Sequence, residues 1–215
     1  MEPEIVRDGR LILVKIGPLG FASNNAYILA DAETNDAVII DAPEGSEQVL
    51  PHLTGFDVNG VIVTHRHRDH WAGIEQLLAG VQAPVLTHEA DREPYAQYVN
   101  TTLQDGDELE MGGLKLRVLH TPGHTPGSFC ILAGEHLLSG DTLFPGGPGR
   151  TRSNADLQQE IASITSQLYT LPDNVHVYPG HGANTTIAIS KGEYAVFASK
   201  QHDPELAGDV LWVSS

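Results

Sequence analysis

Four potential metal ligands lie within six residues of this sequence, directly after a short apolar strand. The strand is residues 61–63, and the ligands are His65, His67, Asp69 and His70. In an extended segment His65 and His67 point to the same side, because side chains alternate along a strand. A turn before the following helix can bring Asp69 and His70 round to the same place. Imidazole and carboxylate groups without a thiolate suit zinc, iron or manganese, so the cluster predicts a metal centre.

Three other loops repeat this layout, with a ligand-type residue just past the end of an apolar strand. The predicted strands 116–119, 137–139 and 175–178 lead to His124, Asp141 and His181, respectively. Functional sites are commonly built on such loops, because a rigid sheet holds them in place. Each loop alone would be interpreted as a polar turn. Beside the four-ligand cluster, the three loops together indicate further ligands.

The remaining histidines lie outside these motifs and are not predicted to bind metal. His88 and His120 end strands near the expected site and are candidates to shape its pocket. The others are expected at the surface or at sheet edges: His52, His136, His176 and His202.

Short apolar strands alternate with segments of helical periodicity along the chain. Strands are predicted at 11–16, 26–29, 37–40, 61–64, 84–87, 114–119, 128–132, 137–139 and 175–178, with 26–29 and 37–40 as a hairpin. Helices are predicted at 46–53, 71–78, 154–169 and 193–200, with Asn154 as the N-cap of the third. This mixture predicts a layered α/β sandwich. The length and the lack of a linker predict one domain over residues 1–215.

Charge and hydropathy narrow the possible partners. The chain has 12 Lys and Arg against 28 Asp and Glu, a net charge of −16. Nucleic acid is therefore not expected as a partner, because phosphate binding needs a basic face. We recognise no export signal and no apolar run of about 18 residues that could span a membrane. The single cysteine, Cys130, is expected to be a buried structural thiol. These features predict a cytoplasmic protein with a small-molecule substrate and indicate no particular oligomeric state.

The order of the motifs resembles that of the metallo-β-lactamase superfamily. The H-x-H-x-D-H cluster, the later His and Asp, and the G-H-G at 180–182 all follow the family's order. The phrases at 25–29, 121–127, 139–144 and 178–182 are similar to those of the small glyoxalase II-like (hydroxyacylglutathione hydrolase-like) hydrolases. This resemblance covers about residues 17–186. It implies an αββα sandwich, in which helices flank two mixed β-sheets and the metals lie at one edge.

The resemblance also implies a two-metal site. By position, the first ion would be held by His65, His67 and His124, the second by Asp69, His70 and His181, and both by Asp141. Two divalent ions are expected, zinc first, with iron or manganese as alternatives. Asp69 and Asp141 would also be catalytic, and Asp41 matches a residue that supports the ligand loop without binding metal. A metal pair lowers the pKa of bound water, so hydrolysis needs no side-chain nucleophile, and no G-x-S-x-G motif is visible.

The expected reaction is hydrolysis of a thioester or a related ester. Full-length glyoxalase II enzymes bind glutathione with a helical C-terminal extension, whereas the segment after His181 is short here. We therefore expect weak glutathione dependence. Arg150 and Arg152 would meet an anionic substrate, or else belong to a solvent-facing loop, and both interpretations stay open.

Three alternatives to this reaction remain. A persulfide dioxygenase-like enzyme would use one iron, held by residues matching His65, His124 and Asp141. Two histidines and one carboxylate are also the usual ligands of non-haem iron oxygenases. A lactonase would use the same metals with a different pocket. A metal-binding module without activity would need a saturated site, whereas seven ligands over two metals leave positions open.

Overall fold

The first of two large β-sheets contains seven strands in chain order. The computed structural model describes residues 2–215. The seven strands are β1 Glu4–Asp8, β2 Leu11–Leu19, β3 Asn24–Asp31, β4 Asp36–Ile40, β5 Asp57–Ile62, β6 Val85–His88 and β7 Val99–Leu103. Strands β1 to β4 are antiparallel, whereas β4 to β7 run parallel. The sheet is therefore mixed, and β3 and β4 form the predicted hairpin.

The second large sheet has six strands in the order β15-β14-β11-β10-β9-β8. Its strands are β8 Glu108–Met111, β9 Leu114–His120, β10 Phe129–Ala133, β11 His136–Gly140, β14 His176–Pro179 and β15 Thr185–Thr186. Only β11 and β14 pair in parallel, so this sheet is mixed as well. A separate small hairpin joins β12 Leu143–Phe144 to β13 Gly147–Pro148.

Helices cover the outer faces of both sheets. The α-helices are α1 Ile74–Gly80, α2 Asn154–Ser163 and α3 Ile187–Ala198, and a π-helical turn, Ile164–Leu168, extends α2. The 3₁₀ helices are Ser46–Leu53, Arg68–His70, Glu89–Asp91 and Glu93–Tyr95. Among residues 2–215, no helix has the length and apolar character needed to span a membrane.

Side chains that alternate between the two faces of each strand build the layers of the sandwich. In β2, Ile12 and Val14 pack on the side of the 3₁₀ helix Ser46–Leu53 and α1, whereas Leu11 and Leu13 face the second sheet. This is the two-residue period expected of a strand buried on both faces. Helices α2 and α3 pack against the other side of the second sheet in a third core. The predicted αββα sandwich is confirmed.

Several helix predictions need correction. Ser153 caps α2, because its extended backbone lets its side chain accept a hydrogen bond from the Asp156 amide, so Asn154 is the first helical residue and not the cap. The segment 46–53 is a 3₁₀ helix that contains Pro51. The predicted helix 71–78 starts only after Gly73, and the predicted 193–200 is the second half of α3.

The prediction for His136 is wrong. This side chain is 3% exposed, and its Nδ1 lies 3.0 Å from the Tyr178 hydroxyl. Its strand β11 is interior to the second sheet, between β10 and β14, so a residue next to a turn is still covered on both sides. His176, at the start of β14, is exposed as predicted.

Candidate metal centre

Parallel strands in both sheets end at the same edge of the sandwich. Strands β4 and β5 are parallel in the first sheet, and β11 and β14 are parallel in the second. The carboxyl ends of parallel strands share an edge, and ligand sites commonly form in the loops there. The loops that follow β5, β9, β11 and β14 bring all seven predicted ligands together. They form three overlapping groups: His65, His67 and His124; His65, His70 and Asp141; Asp69, His70 and His181.

The first group consists of three converging imidazoles. His67 Nδ1 lies 2.8 Å from His124 Nε2, and His124 Nε2 lies 3.3 Å from His65 Nε2. Two nitrogens that are each about 2.1 Å from a tetrahedral ion are separated by about 3.4 Å. The observed spacing is close to that of nitrogens around one ion, so these residues fit a metal.

The group of Asp69, His70 and His181, called the second group from here on, has a similar spacing. His181 Nε2 lies 3.2 Å from His70 Nε2 and 3.3 Å from Asp69 Oδ2. His70 Nε2 and Asp69 Oδ2 are 3.5 Å apart. Two imidazoles and one carboxylate therefore converge on a second point.

Asp141 lies between the two groups. Its Oδ2 is 3.6 Å from His124 Nε2 and 3.4 Å from His181 Nε2. Its Oδ1 is buried and makes no hydrogen bond within residues 2–215, although His70 Nε2 lies 3.3 Å away. A buried carboxylate oxygen without a hydrogen bond is costly unless a cation satisfies it. The position and the unsatisfied oxygen both fit a shared metal ligand.

The outer nitrogens of three histidines are held by acceptors. His70 Nδ1 lies 2.8 Å from Asp41 Oδ2, His124 Nδ1 lies 2.9 Å from the Arg150 carbonyl, and His181 Nδ1 lies 3.0 Å from the Ala22 carbonyl. Because these oxygens accept, each Nδ1 carries the hydrogen. In the neutral form of each imidazole the Nε2 lone pair then faces the cluster, as metal binding requires.

Asp41 also fixes the end of β5. Its carboxylate accepts hydrogen bonds from the Thr64 amide at 2.8 Å and from the Thr64 hydroxyl at 3.0 Å. The backbone of Asp41 has a φ of 61°, which is uncommon for a residue with a side chain. With its bond to His70, Asp41 has the contacts expected of a support for the ligand loop.

Sequence reasoning missed two residues that hold this site. Asp91 is buried and accepts hydrogen bonds from the Arg66 amide, the Gly127 amide and the Thr125 hydroxyl. It thus joins the loop after β5 to the loop that carries His124. The acidic stretch 89–93 around it gives no local signal of this role. Asn24 donates a hydrogen bond to Asp69 Oδ2 at 3.0 Å. The Asn pair at the start of β3 was its only signal.

Burial keeps the first group of imidazoles neutral. It lowers the pKa of His65, and the neighbouring His70 lowers it further. Burial and the nearby His124 lower the pKa of His67 to about 4, and burial also lowers the pKa of His124. Neutral imidazoles are the form that binds metal.

Nearby carboxylates determine the direction of the pKa shifts of the histidines in the second group. Burial opposes protonation of His70, but Asp141 and Asp41 outweigh it and raise its pKa. Burial likewise opposes protonation of His181, whose hydrogen bonds to Asp141 and Asp69 raise its pKa to about 9. The pKa values of Asp69 and Asp141 are lowered by these histidines in spite of burial. This part of the cluster therefore favours positive charge, which a divalent ion supplies.

A cavity of about 680 Å³ opens at the cluster. Its lining includes four candidate ligands and also Arg150, Thr151, Arg152, Ala207 and Gly208. Arg150 and Arg152, for which the sequence left both substrate contact and a solvent-facing loop open, line this cavity, and residues 207 and 208 were not among the predicted site residues. His88 and His120 stack on each other, with ring centroids 4.1 Å apart, and join none of the three ligand groups.

The only cysteine is not placed for nucleophilic chemistry. Cys130 is fully buried on β10, and burial raises its pKa to about 11. A thiol with a raised pKa carries little thiolate at neutral pH. The predicted buried, structural thiol is confirmed.

The fold and the His/Asp groups define a metallohydrolase of the αββα type. Residues 19–191 match the protein family described as "Metallo-beta-lactamase superfamily". The chain belongs to this superfamily, as the order of its motifs predicted.

Three relatives place the chain within the family. It is 35% identical over 164 residues to a hydroxyacylglutathione hydrolase of Nitrosococcus oceani, covering 74% of this chain and 62% of that enzyme. The structure of ETHE1 from Myxococcus xanthus is 31% identical, with a TM-score of 0.75 over 94% of this chain and 86% of that one. A di-iron-bound form of TTHA1623 is 29% identical, with a TM-score of 0.69 over 82% of this chain and 96% of that one.

Proposed function

We propose that the chain is a single-domain, two-metal hydrolase that acts on a thioester or a related ester. In this proposal His65, His67 and His124 hold one ion, Asp69, His70 and His181 hold the other, and Asp141 contacts both. Zinc is the expected metal, with iron or manganese as alternatives. The spacing of the ligand atoms and the inward Nε2 lone pairs support this assignment.

The central position of Asp141 is the observation that carries the proposal. Its two oxygens lie within 3.3 to 3.9 Å of the Nε2 atoms of four histidines, two from each group. A single-metal site has no use for a carboxylate in contact with two separate sets of imidazoles. The cavity beside it leaves the site open to a substrate, unlike a closed structural metal site.

The side chains have defined tasks in ester hydrolysis. When bound, a pair of divalent ions lowers the pKa of the attacking water and stabilises negative charge on the acyl oxygen. Asn24 occupies Asp69 Oδ2, which leaves Asp69 Oδ1 to accept a hydrogen bond from that water and to take its proton. The water oxygen attacks the acyl carbon, the C–S or C–O bond breaks, and the leaving sulfur or oxygen receives the proton from Asp69.

The relative from Nitrosococcus oceani supports a thioester as the substrate. Its name, hydroxyacylglutathione hydrolase, denotes a glutathione thioester, and the match covers 62% of that enzyme. The remaining part of the relative has no counterpart in the match. We therefore propose small thioesters, with weak dependence on the glutathione part.

A second candidate is a persulfide dioxygenase-like enzyme with one iron. His65, His124 and Asp141 would hold it, since Asp141 Oδ2 lies 3.9 and 3.6 Å from the two Nε2 atoms. Two histidines and a carboxylate form the usual set for such iron. A lactonase is a third candidate, and it would use the two-metal site with lactone substrates.

Replacing His70 separates these candidates. It belongs to the second metal's ligands only, so His70→Ala should keep about one ion per chain where the wild type holds about two. Thioester hydrolysis should fall on the order of a hundredfold or more, because one of two acidifying ions is lost. Elemental analysis and a thioester assay measure both effects. His52→Ala, outside the cluster, is the matched control.

Two results would contradict the two-metal hydrolase proposal. Hydrolysis by His70→Ala at the wild-type rate would remove the second metal from the reaction. Oxygen consumption by the wild type with glutathione persulfide, with one iron per chain, would favour the dioxygenase. Lactones assayed in parallel distinguish the third candidate, because a lactonase would prefer them to every thioester.

A further inference from the structure

Two cavities meet at the metal centre, and one segment of the chain forms a wall of both. The larger has a volume of about 680 Å³ and the smaller about 340 Å³. His124, Asp141 and Arg150 line both cavities, so both open onto the same candidate ligands. Residues 207–211 contribute to the lining of both cavities. Residues 207 and 208 line the larger one, and residues 209–211 line the smaller one. We call this segment the wall.

The larger cavity is cationic at its mouth, and we call it the arginine arm. Arg150 and Arg152 line it, with Thr151 between them. Arg152 is exposed and has no ion-pair or hydrogen-bond partner among residues 2–215. In a chain of net charge −16, two arginines at one opening make it a local exception to the acidic surface. Such a site favours a carboxylate, which an arginine binds with paired hydrogen bonds.

The smaller cavity is largely apolar beyond the ligands, and we call it the apolar arm. Its lining includes Phe144, Pro145, Pro148, Val210 and Leu211. Leu211 is 52% exposed, although it is a large apolar side chain. A short aliphatic group that enters this arm would remove apolar surface from water, which is favourable.

The wall is fixed to the rest of the protein. Gly208 and Thr151 exchange backbone hydrogen bonds of 3.0 and 3.2 Å, and the Trp212 amide donates to the Gly146 carbonyl at 2.7 Å. The Trp212 ring is fully buried, with centroid distances of 5.2 Å to Tyr194 and 4.8 Å to Phe197. The arms are therefore preformed, and binding in them needs no ordering of a loose segment.

An ion pair lies where the two arms join. Arg150 Nε is 3.6 Å from Asp209 Oδ2, and both side chains are exposed. An exposed pair of this kind contributes little and exchanges readily with other ions. Asp209 thus occupies Arg150 in a place that an anionic substrate would use.

We propose that the site selects an ester or thioester with a carboxylate on one half and a short aliphatic chain on the other. The inference rests on the proposed hydrolase function. The arginine arm takes the carboxylate, the apolar arm takes the aliphatic chain, and the bond to be broken lies over Asp141. Asp209 acts as a specificity residue, because it competes with the carboxylate for Arg150.

Matched substrates test the two arms in the metal-loaded protein. The probe is the S-butanoyl thioester of 3-mercaptopropionate, beside its uncharged methyl ester and its shorter S-acetyl analogue. The reversed arrangement, a succinyl thioester of butanethiol, shows which half carries the carboxylate. We expect kcat/KM for the charged butanoyl probe to exceed that of its methyl ester by about tenfold or more, mainly through KM.

Variants assign the preference to the arms. Arg152→Gln should reduce the charged-to-uncharged ratio by about tenfold, whereas Asp209→Asn should increase it. Arg117→Gln, an exposed arginine on β9, is the matched control. Leu211→Ser should reduce the preference for butanoyl over acetyl. Val213→Ser is its control, because Val213 is 54% exposed but lines neither arm.

Failure of the inference is distinguishable from failure of the proposed function. Equal rates for charged and uncharged probes, or equal ratios in wild type and Arg152→Gln, would overturn the two-arm assignment while hydrolysis stands. If no ester is hydrolysed, the hydrolase proposal fails, and binding decides the inference. Calorimetry would then compare 5-oxooctanoate, in which CH₂ replaces the sulfur, with its methyl ester. Tighter binding of the acid, lost in Arg152→Gln, supports the arms, and equal affinities overturn them.

Discussion

The carboxyl group of Glu160 is buried, and only one of its two oxygens has a hydrogen bond. Replacing Glu160 tests the electrostatics beside the metal centre. Glu160 lies on α2, where its Oε1 accepts a hydrogen bond from the Gly149 amide at 3.2 Å. Its Oε2 is buried without a partner in the part of the chain described, residues 2–215. Burial raises the pKa of Glu160 well above its ordinary value of 4.5, and the Gly149 hydrogen bond only partly opposes this.

The raised pKa gives the pH dependence a definite sign. Between pH 4.5 and the folded pKa, the folded protein binds more protons than the unfolded chain. The free energy of unfolding therefore falls as pH rises, by up to about 1.4 kcal/mol per pH unit for this one group. Glutamine keeps the acceptor for Gly149 but cannot ionise. The advantage of Glu160→Gln over wild type should thus grow with pH, to at most about 3 kcal/mol at neutral pH.

Urea unfolding of the metal-loaded proteins at several pH values, from about pH 5 to about pH 8, measures this difference. Subtracting the wild type removes the contribution of every other titrating group. Glu75→Gln, which removes an exposed carboxylate from α1, controls for the change in net charge. A difference between Glu160→Gln and wild type that stays constant over this range would show that folding does not raise the pKa of Glu160.

Three further predictions concern the supports of the site. Asp41→Asn should weaken metal binding by about tenfold or more in chelator competition, because it loosens His70, and an unchanged affinity would contradict this. Gly180→Ala should lower the metal content found by elemental analysis, because its new Cβ would collide with Asp141 Oδ1, whereas Gly192→Ala, which meets no atom, should keep its metal. Tyr27→Phe should cost about 1 to 2 kcal/mol in urea unfolding, because its hydroxyl bonds the buried Pro179 carbonyl at 2.5 Å, and a neutral result would show that this bond contributes nothing.

Most of the strands that were not predicted lie at the edges of the two large sheets. β1 and β7 border the seven-stranded sheet, β8 and β15 border the six-stranded one, and the other two, β12 and β13, form the small hairpin. Residues Glu4–Asp8 are mostly exposed, and Val99–Leu103 is largely polar. An edge strand buries few side chains, so it lacks the apolar run by which the interior strands were recognised.

The site was predictable where its residues follow strands and not where tertiary contacts made it. His65, His124 and His181 follow apolar runs within a few residues, so the local pattern marked them. Asp91 joins two ligand loops from an acidic stretch, and no local signal distinguishes it from a surface residue. The wall, 207–211, lines the cavities only because Trp212 is buried in the third core.

The distribution of the ligands along the chain also sets an order of events during synthesis. His65, His67, Asp69 and His70 are made early, whereas His124, Asp141 and His181 come from the second sheet. At about 5 to 20 residues per second, roughly 6 to 20 seconds pass on the ribosome between His70 and His181. In the first half of that interval, before His124 and Asp141 have been added, an ion would find only these four ligands. The seven candidate ligands come together only when the second sheet packs on the first, so a site with all seven exists only in the folded protein.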